Sequence, residues 1–257
     1  MSDPAAAFFD VDNTIIRGAS SYHLARELYR RDFFRLRDIV YFAGHSFYYS
    51  LFGENRARID DVRERALWII EGHTVAEIVA IADEVYDEVF ANRVFPGARS
   101  LLEAHLRQGN QVWIITAAPR EIGELVARRL GATGALGTVA EERDGIYTGR
   151  LVGDMLLGEH KAAAVRVIAE REEMAMADCF AYGDSVNDIP VLSSVGHPCA
   201  INPDPRLRLH AAEVGWPVRD FRRRRRNVRR GLRNASWAGG VWAAATVVRS
   251  VVRKLRP

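Results

Sequence analysis

Two acidic clusters, Asp10-Val11-Asp12-Asn13-Thr14 and Gly183-Asp184-Ser185-Val186-Asn187-Asp188, stand far apart in the chain. Each follows a short apolar run, Ala5 to Phe9 and Cys179 to Tyr182, that reads as a buried strand ending in carboxylates. Strand side chains alternate faces, so Asp10 and Asp12 point the same way if the strand stays extended. Like charges held that close disfavour double ionisation, and the pair then needs a cation, a shared proton or both. If the second cluster reaches the same edge, Asp10, Asp12, Asp184 and Asp188 form a divalent-metal site suited to phosphate chemistry. Mg²⁺ is the expected ion, because it is hard, keeps several waters and takes one or two carboxylates.

Phosphomonoester hydrolysis needs positioning, charge neutralisation and often a covalent step. Asp10, first out of its strand, is the candidate nucleophile, since a carboxylate forms a labile acyl phosphate. Asp12 is placed to protonate the leaving oxygen and later to deprotonate water, helped by a pKa that neighbouring carboxylates raise. The Thr116 hydroxyl and the Lys161 ammonium are candidates for binding the non-bridging phosphate oxygens. Asp188 either holds a water ligand or orients Lys161. Each residue also has a plain structural reading: Asp-x-Asp after a strand is commonly a turn or a cap, and Gly-Asp-Ser equally caps a helix. Their occurrence together, in order, each at a predicted strand end or just inside a helix, favours catalysis.

The elements that must position these residues follow from periodicity. Residues 19–94 read as helical throughout, with Thr74-Val75-Ala76-Glu77 as a capping box opening a helix that runs to about Asn92. Beyond Phe95 strands and helices alternate. A helix follows Pro96-Gly97, Gln111 to Thr116 is a buried strand, and Pro119 and Gly131 bracket the next helix. Thr138 to Arg150 reads as a hairpin turning at Asp144-Gly145. Glu159 to Glu173 is predicted helix, Asp178 to Tyr182 strand, Asn187 to Ser194 a short helix, and Pro198 to Ile201 and Trp216 to Val218 the last strands. Such alternation predicts an α/β fold, a Rossmann-like parallel sheet core with a helical cap inserted after the first strand. Ligands of such sheets bind at the strands' carboxyl ends, where Asp10, Thr116 and Asp184 fall.

On these residues the chain resembles the haloacid dehalogenase (HAD) superfamily of aspartate-nucleophile phosphatases. Its four motifs are matched by Asp10-Val11-Asp12-Asn13-Thr14-Ile15, Ile114-Ile115-Thr116, Lys161 and Gly183-Asp184-Ser185-Val186-Asn187-Asp188. The helical insertion is similar to the cap of the phosphoserine-phosphatase-like branch, subfamily IB. The resemblance implies Asp10 as nucleophile, Asp12 as acid/base, Thr116 and Lys161 as the phosphate clamp, and Asp184 with Asp188 at the metal end. It further implies a main-chain metal contact at Val11 and a polar residue beside the phosphate at Asn187. Two departures stand out. Ala19 occupies the position where phosphoserine phosphatases carry a Glu for the substrate's amino group, and Ala117-Ala118-Pro119 replace the glycines that follow the second motif. A methyl group cannot neutralise an ammonium, so a small phosphomonoester other than phosphoserine is the expected substrate. Two alternatives stand beside hydrolysis: phosphoryl transfer by the same chemistry, and a membrane-anchored phosphate-binding scaffold without turnover.

Composition divides the chain unevenly. At 257 residues and 48% hydrophobic it can bury a sizeable core. Twelve of the 36 Lys and Arg, and no acid, lie in residues 222–257, which leaves 24 basic against all 33 acidic residues in the rest. The expected organisation is a core from residues 1–18 and 95–220, a cap at 19–94 and a basic amphipathic tail at 221–257. In the tail, Ala235 to Val248 is fourteen residues without charge, short of the roughly 20 a membrane span needs. Trp237, Val241, Ala244, Val248, Val251 and Leu255 form one helical stripe, which predicts binding to an anionic membrane surface. Nucleic acid is the weaker alternative partner, because arginines alone would serve it and leave the alanine-valine run unexplained. Nine of the 24 aromatic residues fall between Tyr29 and Phe52 and read as cap packing first, with an aromatic substrate entrance or an interfacial patch as the alternative. Arg63 and Arg65 read as a solvated face. Cys179 and Cys199 lack metal-like spacing and read as buried inert thiols. No basic region followed by an apolar stretch opens the chain, so the expected location is cytoplasmic, with a peripheral association at the inner face of the membrane.

Overall fold

The computed structural model describes residues 5–20, 26, 27, 30 and 70–222. The cap aromatics, Arg63, Arg65 and the tail from residue 223 onward lie outside the described residues. Six parallel strands form the main sheet in the order β3-β2-β1-β6-β7-β8. They are β1 (Ala6–Asp10), β2 (Gln111–Pro119), β3 (Gly134–Thr138), β6 (Phe180–Gly183), β7 (His197–Ile201) and β8 (Val218–Arg219). A separate antiparallel hairpin pairs β4 (Ala140–Arg143) with β5 (Ile146–Leu151). Among the described residues the α-helices bounded at both ends are α1 (Val75–Val85), α2 (Pro96–Arg107), α3 (Arg120–Leu130), α4 (Glu159–Arg171), α5 (Ile189–Ser194) and α6 (Pro205–Val214). This is the α/β arrangement expected from the alternating pattern.

Alternation along the buried strands sorts their side chains into two cores. Ala7, Phe9, Val112, Ile114, Tyr182, Cys199 and Ile201 pack with α3 and with Ile78, Ile81 and Val85 of α1. Ala6, Phe8, Trp113, Ile115, Ala181 and Ala200 pack on the other face against α4, α5 and α6. A sheet covered on both faces explains why its strands read as continuous apolar runs. By the same alternation Asp10 shares the face of Phe8, which is the face that α4 covers. Cys179 and Cys199 are both free and buried.

Local signals account for most helix ends. Thr74 caps α1 and accepts a hydrogen bond from the Glu77 amide, while the Glu77 carboxylate meets His73 Nδ1 at 3.2 Å. Gly131, at φ 70°, closes α3 in the left-handed conformation that glycine adopts without steric cost. The helix expected to reach Asn92 stops being α-helical at Val85. It continues as a π turn, Tyr86–Phe90, and a 3-10 turn, Ala91–Arg93. The wider turn leaves both Tyr86 and Phe90 buried, edge to face, against the core.

The structure corrects the sequence reading at several elements. Gly134–Thr138 is a strand of the main sheet, although two glycines in five residues argue against one. Both are required by close approach: a Cβ at Gly134 would lie 2.5 Å from the Trp113 ring, and one at Gly137 2.5 Å from Arg120 Cα. Thr138 therefore belongs to β3, and the hairpin begins at Ala140. Helix α6 has ordinary signals, an Asp204 cap, Pro205 at its first position and Gly215 after its end, that the alternation pattern overlooked. Strand β2 runs on to Pro119, with its register to β3 shifting after Ile115. The last strand is Val218–Arg219, since Trp216 packs beside the α6 core instead. Phe221 also packs on the core, and its amide and that of Arg222 donate to Asn202 Oδ1, so the compact unit extends to Arg222.

One buried polar chain links α2 to β6. His105, 4% exposed, has Nε2 2.8 Å from Tyr182 Oη and Nδ1 3.0 Å from the Asn110 amide nitrogen. The amide NH₂ can only donate, so Nδ1 accepts and Nε2–H donates to the tyrosine. Burial, with a smaller contribution from Arg219, holds the imidazole pKa below its ordinary 6.5. A lowered pKa means that the unfolded chain binds the proton more readily, so this contribution is complete above the ordinary value and is lost as pH falls through it. Between about pH 7.5 and pH 5.5, urea unfolding is expected to show a larger loss of stability for the native protein than for His105→Gln, which cannot titrate. An equal loss in both proteins would remove His105 from the pH response.

Candidate active site

Register builds the site. Asp10 pairs with Ile115, which puts Thr116 one residue further along the neighbouring strand. Phe9 pairs with Tyr182, so Asp10 stands level with Gly183, and Asp184 follows at the same edge. Asp10, Thr116 and Asp184 thus come together at the carboxyl ends of adjacent strands. Asp188 enters through a 3-10 turn, Val186–Asp188, capped reciprocally by Ser185.

At the centre is a buried ammonium. Lys161, in the first turns of α4, has a side chain 4% exposed and donates to Asp10 Oδ1 at 2.6 Å and Asp188 Oδ1 at 2.7 Å. Asp188 spends its other oxygen on the Asp184 amide, the Ser185 amide and the Ser185 hydroxyl. Asp188 thus makes the contact with Lys161 that one of its two sequence-read roles requires. Only glycine fits at 183, because a Cβ there would lie 2.5 Å from that of Asp188.

Asp10, Asp184 and Asp188 each present an oxygen within 4.8 Å of the others. When all three are ionised, three carboxylates against one ammonium leave two negative charges, which matches a divalent cation and the oxygen donors that Mg²⁺ takes. Burial, opposed by Lys161, raises the Asp10 pKa well above the carboxylate range. Burial and then the Asp188 charge push Asp184 up to about 7. Attraction from Asp10 and Asp188 keeps Lys161 charged in spite of its burial.

The other sequence-predicted residues are placed as follows. Strand β1 ends at Asp10, so Asp12 sits in a tight loop in which the Ile15 and Ile16 amides both donate to the Val11 carbonyl. Asp12 Oδ1 accepts from the Ser20 amide at 2.8 Å, and the side chain stands outside the three-carboxylate group, although its charge acts on Asp184. The Thr116 hydroxyl is buried and accepts from the Ala118 amide at 3.1 Å. Asn187 is exposed on the 3-10 turn. Three supporting residues escaped the sequence reading. Asn13, at φ 55°, accepts from the Gly18 amide and hydrogen-bonds Asp184. Asn202 is fully buried and donates to the Asn13 carbonyl, while Asp204 accepts from the Val186 amide. Asn202 and Asp204 follow β7 directly, so the rule that led to Asp10 and Asp184 would have pointed to them too.

A family model described as haloacid dehalogenase-like hydrolase matches residues 7–193, a span that holds Asp10, Asp12, Thr116, Lys161, Asp184 and Asp188. The chain belongs to the haloacid dehalogenase-like hydrolase family and is one of its phosphatases. It is 51% identical over 244 residues to the Mycobacterium tuberculosis protein named phosphoserine phosphatase SerB1, covering 93% of this chain and 79% of that one. A match of the same extent from another strain of that organism is named only putative hydrolase. Among solved structures, a Bordetella pertussis protein titled as of unknown function superposes with a TM-score of 0.75 at 28% identity, over 85% of this chain and 99% of that one. A phosphoserine phosphatase in apo form gives 0.58 at 17% identity, over 86% and 95%, which is a likeness of fold.

The pKa of Asp184 gives the ion a pH dependence. A carboxyl raised to about 7 is protonated below that pH, and a metal must displace the proton. Apparent Mg²⁺ affinity, measured by calorimetry with the full-length protein, is expected to rise roughly tenfold from about pH 6 to pH 8. Proton release on binding, seen as a dependence of the heat on buffer, should fade toward the upper end. A flat profile without proton release would remove Asp184 from the ligand set.

Proposed function

We propose that this family member hydrolyses phosphomonoesters with Mg²⁺ through a covalent phosphoenzyme on Asp10. The observation that carries the reading is the buried contact of Lys161 with Asp10 and Asp188, beside a third carboxylate, at the open edge of the sheet. An Asp10 carboxylate oxygen attacks phosphorus in line with the leaving oxygen, and the P–O bond to the leaving group breaks. Asp12 donates its proton to the departing alkoxide. Water then attacks the aspartyl phosphate, Asp12 takes the proton back, and inorganic phosphate leaves. The Ser20 amide occupies Asp12 Oδ1, which leaves Oδ2 for this proton. Two of the three Lys161 N–H bonds are used within the protein, so the third is available to a non-bridging phosphate oxygen. Thr116 is the second clamp, and Asn187 is a contact at the mouth. Asp10 and Asp184 hold the ion, with Asp188 behind them and Asp12 adding charge; when bound, Mg²⁺ neutralises the phosphate oxygens as charge develops.

The substrate we infer is a small phosphomonoester other than phosphoserine, because Ala19 offers no charge to an ammonium. The name of the 51% identical relative favours the opposite reading, which makes substrate identity the point to measure. Core and cap are taken to divide as in the sequence, with the cap at residues 19–94. We also infer that the basic tail is a peripheral anchor for anionic membranes on the cytoplasmic side, supported by its charge and stripe pattern. Among the described residues no helix is long and apolar enough to cross a membrane.

Asp10→Asn is expected to lower kcat on an aryl phosphate by roughly a thousandfold or more in a protein that stays folded by circular dichroism, and EDTA should abolish native turnover. Normal turnover in that variant would refute the mechanism, and a kcat/KM panel dominated by phosphoserine would overturn the substrate inference. For the tail, sedimentation with anionic vesicles should be lost in a chain ending at Arg222 and weakened by salt. Equal pelleting of both chains would dismiss the anchor.

A further inference from the structure

A cavity of about 520 Å³, lined by none of the catalytic carboxylates, falls within the roughly 300–1,000 Å³ that small-molecule sites occupy. Among the described residues four of its lining side chains are arginines: Arg17, Arg26, Arg30 and Arg93. Two are acids, Glu27 and Glu88. This inverts the balance of residues 1–221, where acids outnumber bases. Glu27 is buried and pairs with Arg30 at 3.2 Å. The Arg17 guanidinium lies 5.3 Å from the Phe95 ring centroid, a stack that leaves its in-plane N–H groups for another partner. Among the described residues neither Arg26 nor Arg93 has an ion pair. Among the described lining residues guanidinium groups therefore outnumber carboxylates, and converging like charge is unfavourable until an anion joins it.

We propose that this cavity binds an oligophosphate group, at a site separate from the catalytic centre. Planar forks match phosphate oxygens two at a time, and several forks around one space match more than one phosphate. The location gives binding a consequence. The Arg17 amide donates to the Arg93 carbonyl, the Phe95 amide donates to the Ile15 carbonyl, and Ile16 bridges Val94. The cavity is thus built on two chain segments that run side by side. One of them is the loop that the Asp12 carboxylate closes on Ser20. An anion spanning Arg17 and Arg93 would hold that loop. Asp10, Thr116, Lys161, Asp184 and Asp188 do not line the cavity, so Arg26 and Arg93 can be substituted without altering them.

The test is hydrogen exchange of the full-length protein with inorganic pyrophosphate in EDTA, together with titration calorimetry. Pyrophosphate should slow exchange in segments 15–20 and 88–93. Arg26→Gln/Arg93→Gln should weaken binding at least tenfold while its aryl phosphatase rate without pyrophosphate stays native. Both substituted side chains are at least partly solvent-exposed, and a native melting temperature verifies the fold. Protection confined to segments 10–13 and 183–188, or to the tail, would overturn the proposal. So would undiminished affinity in the double variant, or no binding at millimolar pyrophosphate.

Discussion

The contact on which the rest of this structure depends is that of the Lys161 ammonium with Asp10 and Asp188. A charge removed from water is costly, and removing one partner of such a buried pair typically costs roughly 3–5 kcal/mol. Here the ammonium has two carboxylates, and one of those carboxylates is itself held by two amides and a hydroxyl. The three residues come from β1, from α4 and from the turn after β6. The interaction therefore fixes the helix covering one sheet face to two strand ends on that face. It also leaves the edge short of positive charge, which is what a site for a divalent cation requires.

Backbone constraints serve the same contact. Gly183 lets Asp188 close over the strand end, and the 3-10 turn aims its carboxylate back under the Asp184 and Ser185 amides. On the neighbouring strand the chain turns sharply after Asp10. Asn13 takes a left-handed backbone and Asn202, from beyond β7, holds its carbonyl. Loops after β1, β6 and β7 are thereby tied to one another through short polar side chains. A rigid parallel sheet with such loops at its carboxyl edge can hold charges close that would otherwise separate. The price is electrostatic and appears in the raised pKa values of Asp10 and Asp184.

The apolar cores and the polar edge are two results of one periodicity. Even-numbered residues of β1 face α4, so Ala6 and Phe8 build the core that Asp10 completes with a charge. Odd-numbered residues build the opposite core, where the stacked Phe9 and Tyr182 rings carry the buried His105 contact. Strand β1 thus serves packing along most of its length and chemistry at its last residue.

What the sequence determined by itself was the part written in local pattern. Apolar runs ending in Asp10 and Asp184, Gly131 after a helical period, and Asp144-Gly145 between short strands each specify backbone within a few residues. The charge divide at residue 222 needs no structure either. Tertiary structure decided the rest. Gly134 and Gly137 look unsuited to a strand until the Trp113 ring and the Arg120 backbone occupy the space where their side chains would be. Spacing gives no reason to prefer Asp188 over Asp12 for the three-carboxylate group, because membership depends on where β1 stops and the 3-10 turn begins. Arg17 and Arg93 share a cavity only because two segments far apart in the chain run side by side. Local propensity acts over a few residues, whereas burial, charge pairing and close approach act between residues that only the fold makes neighbours.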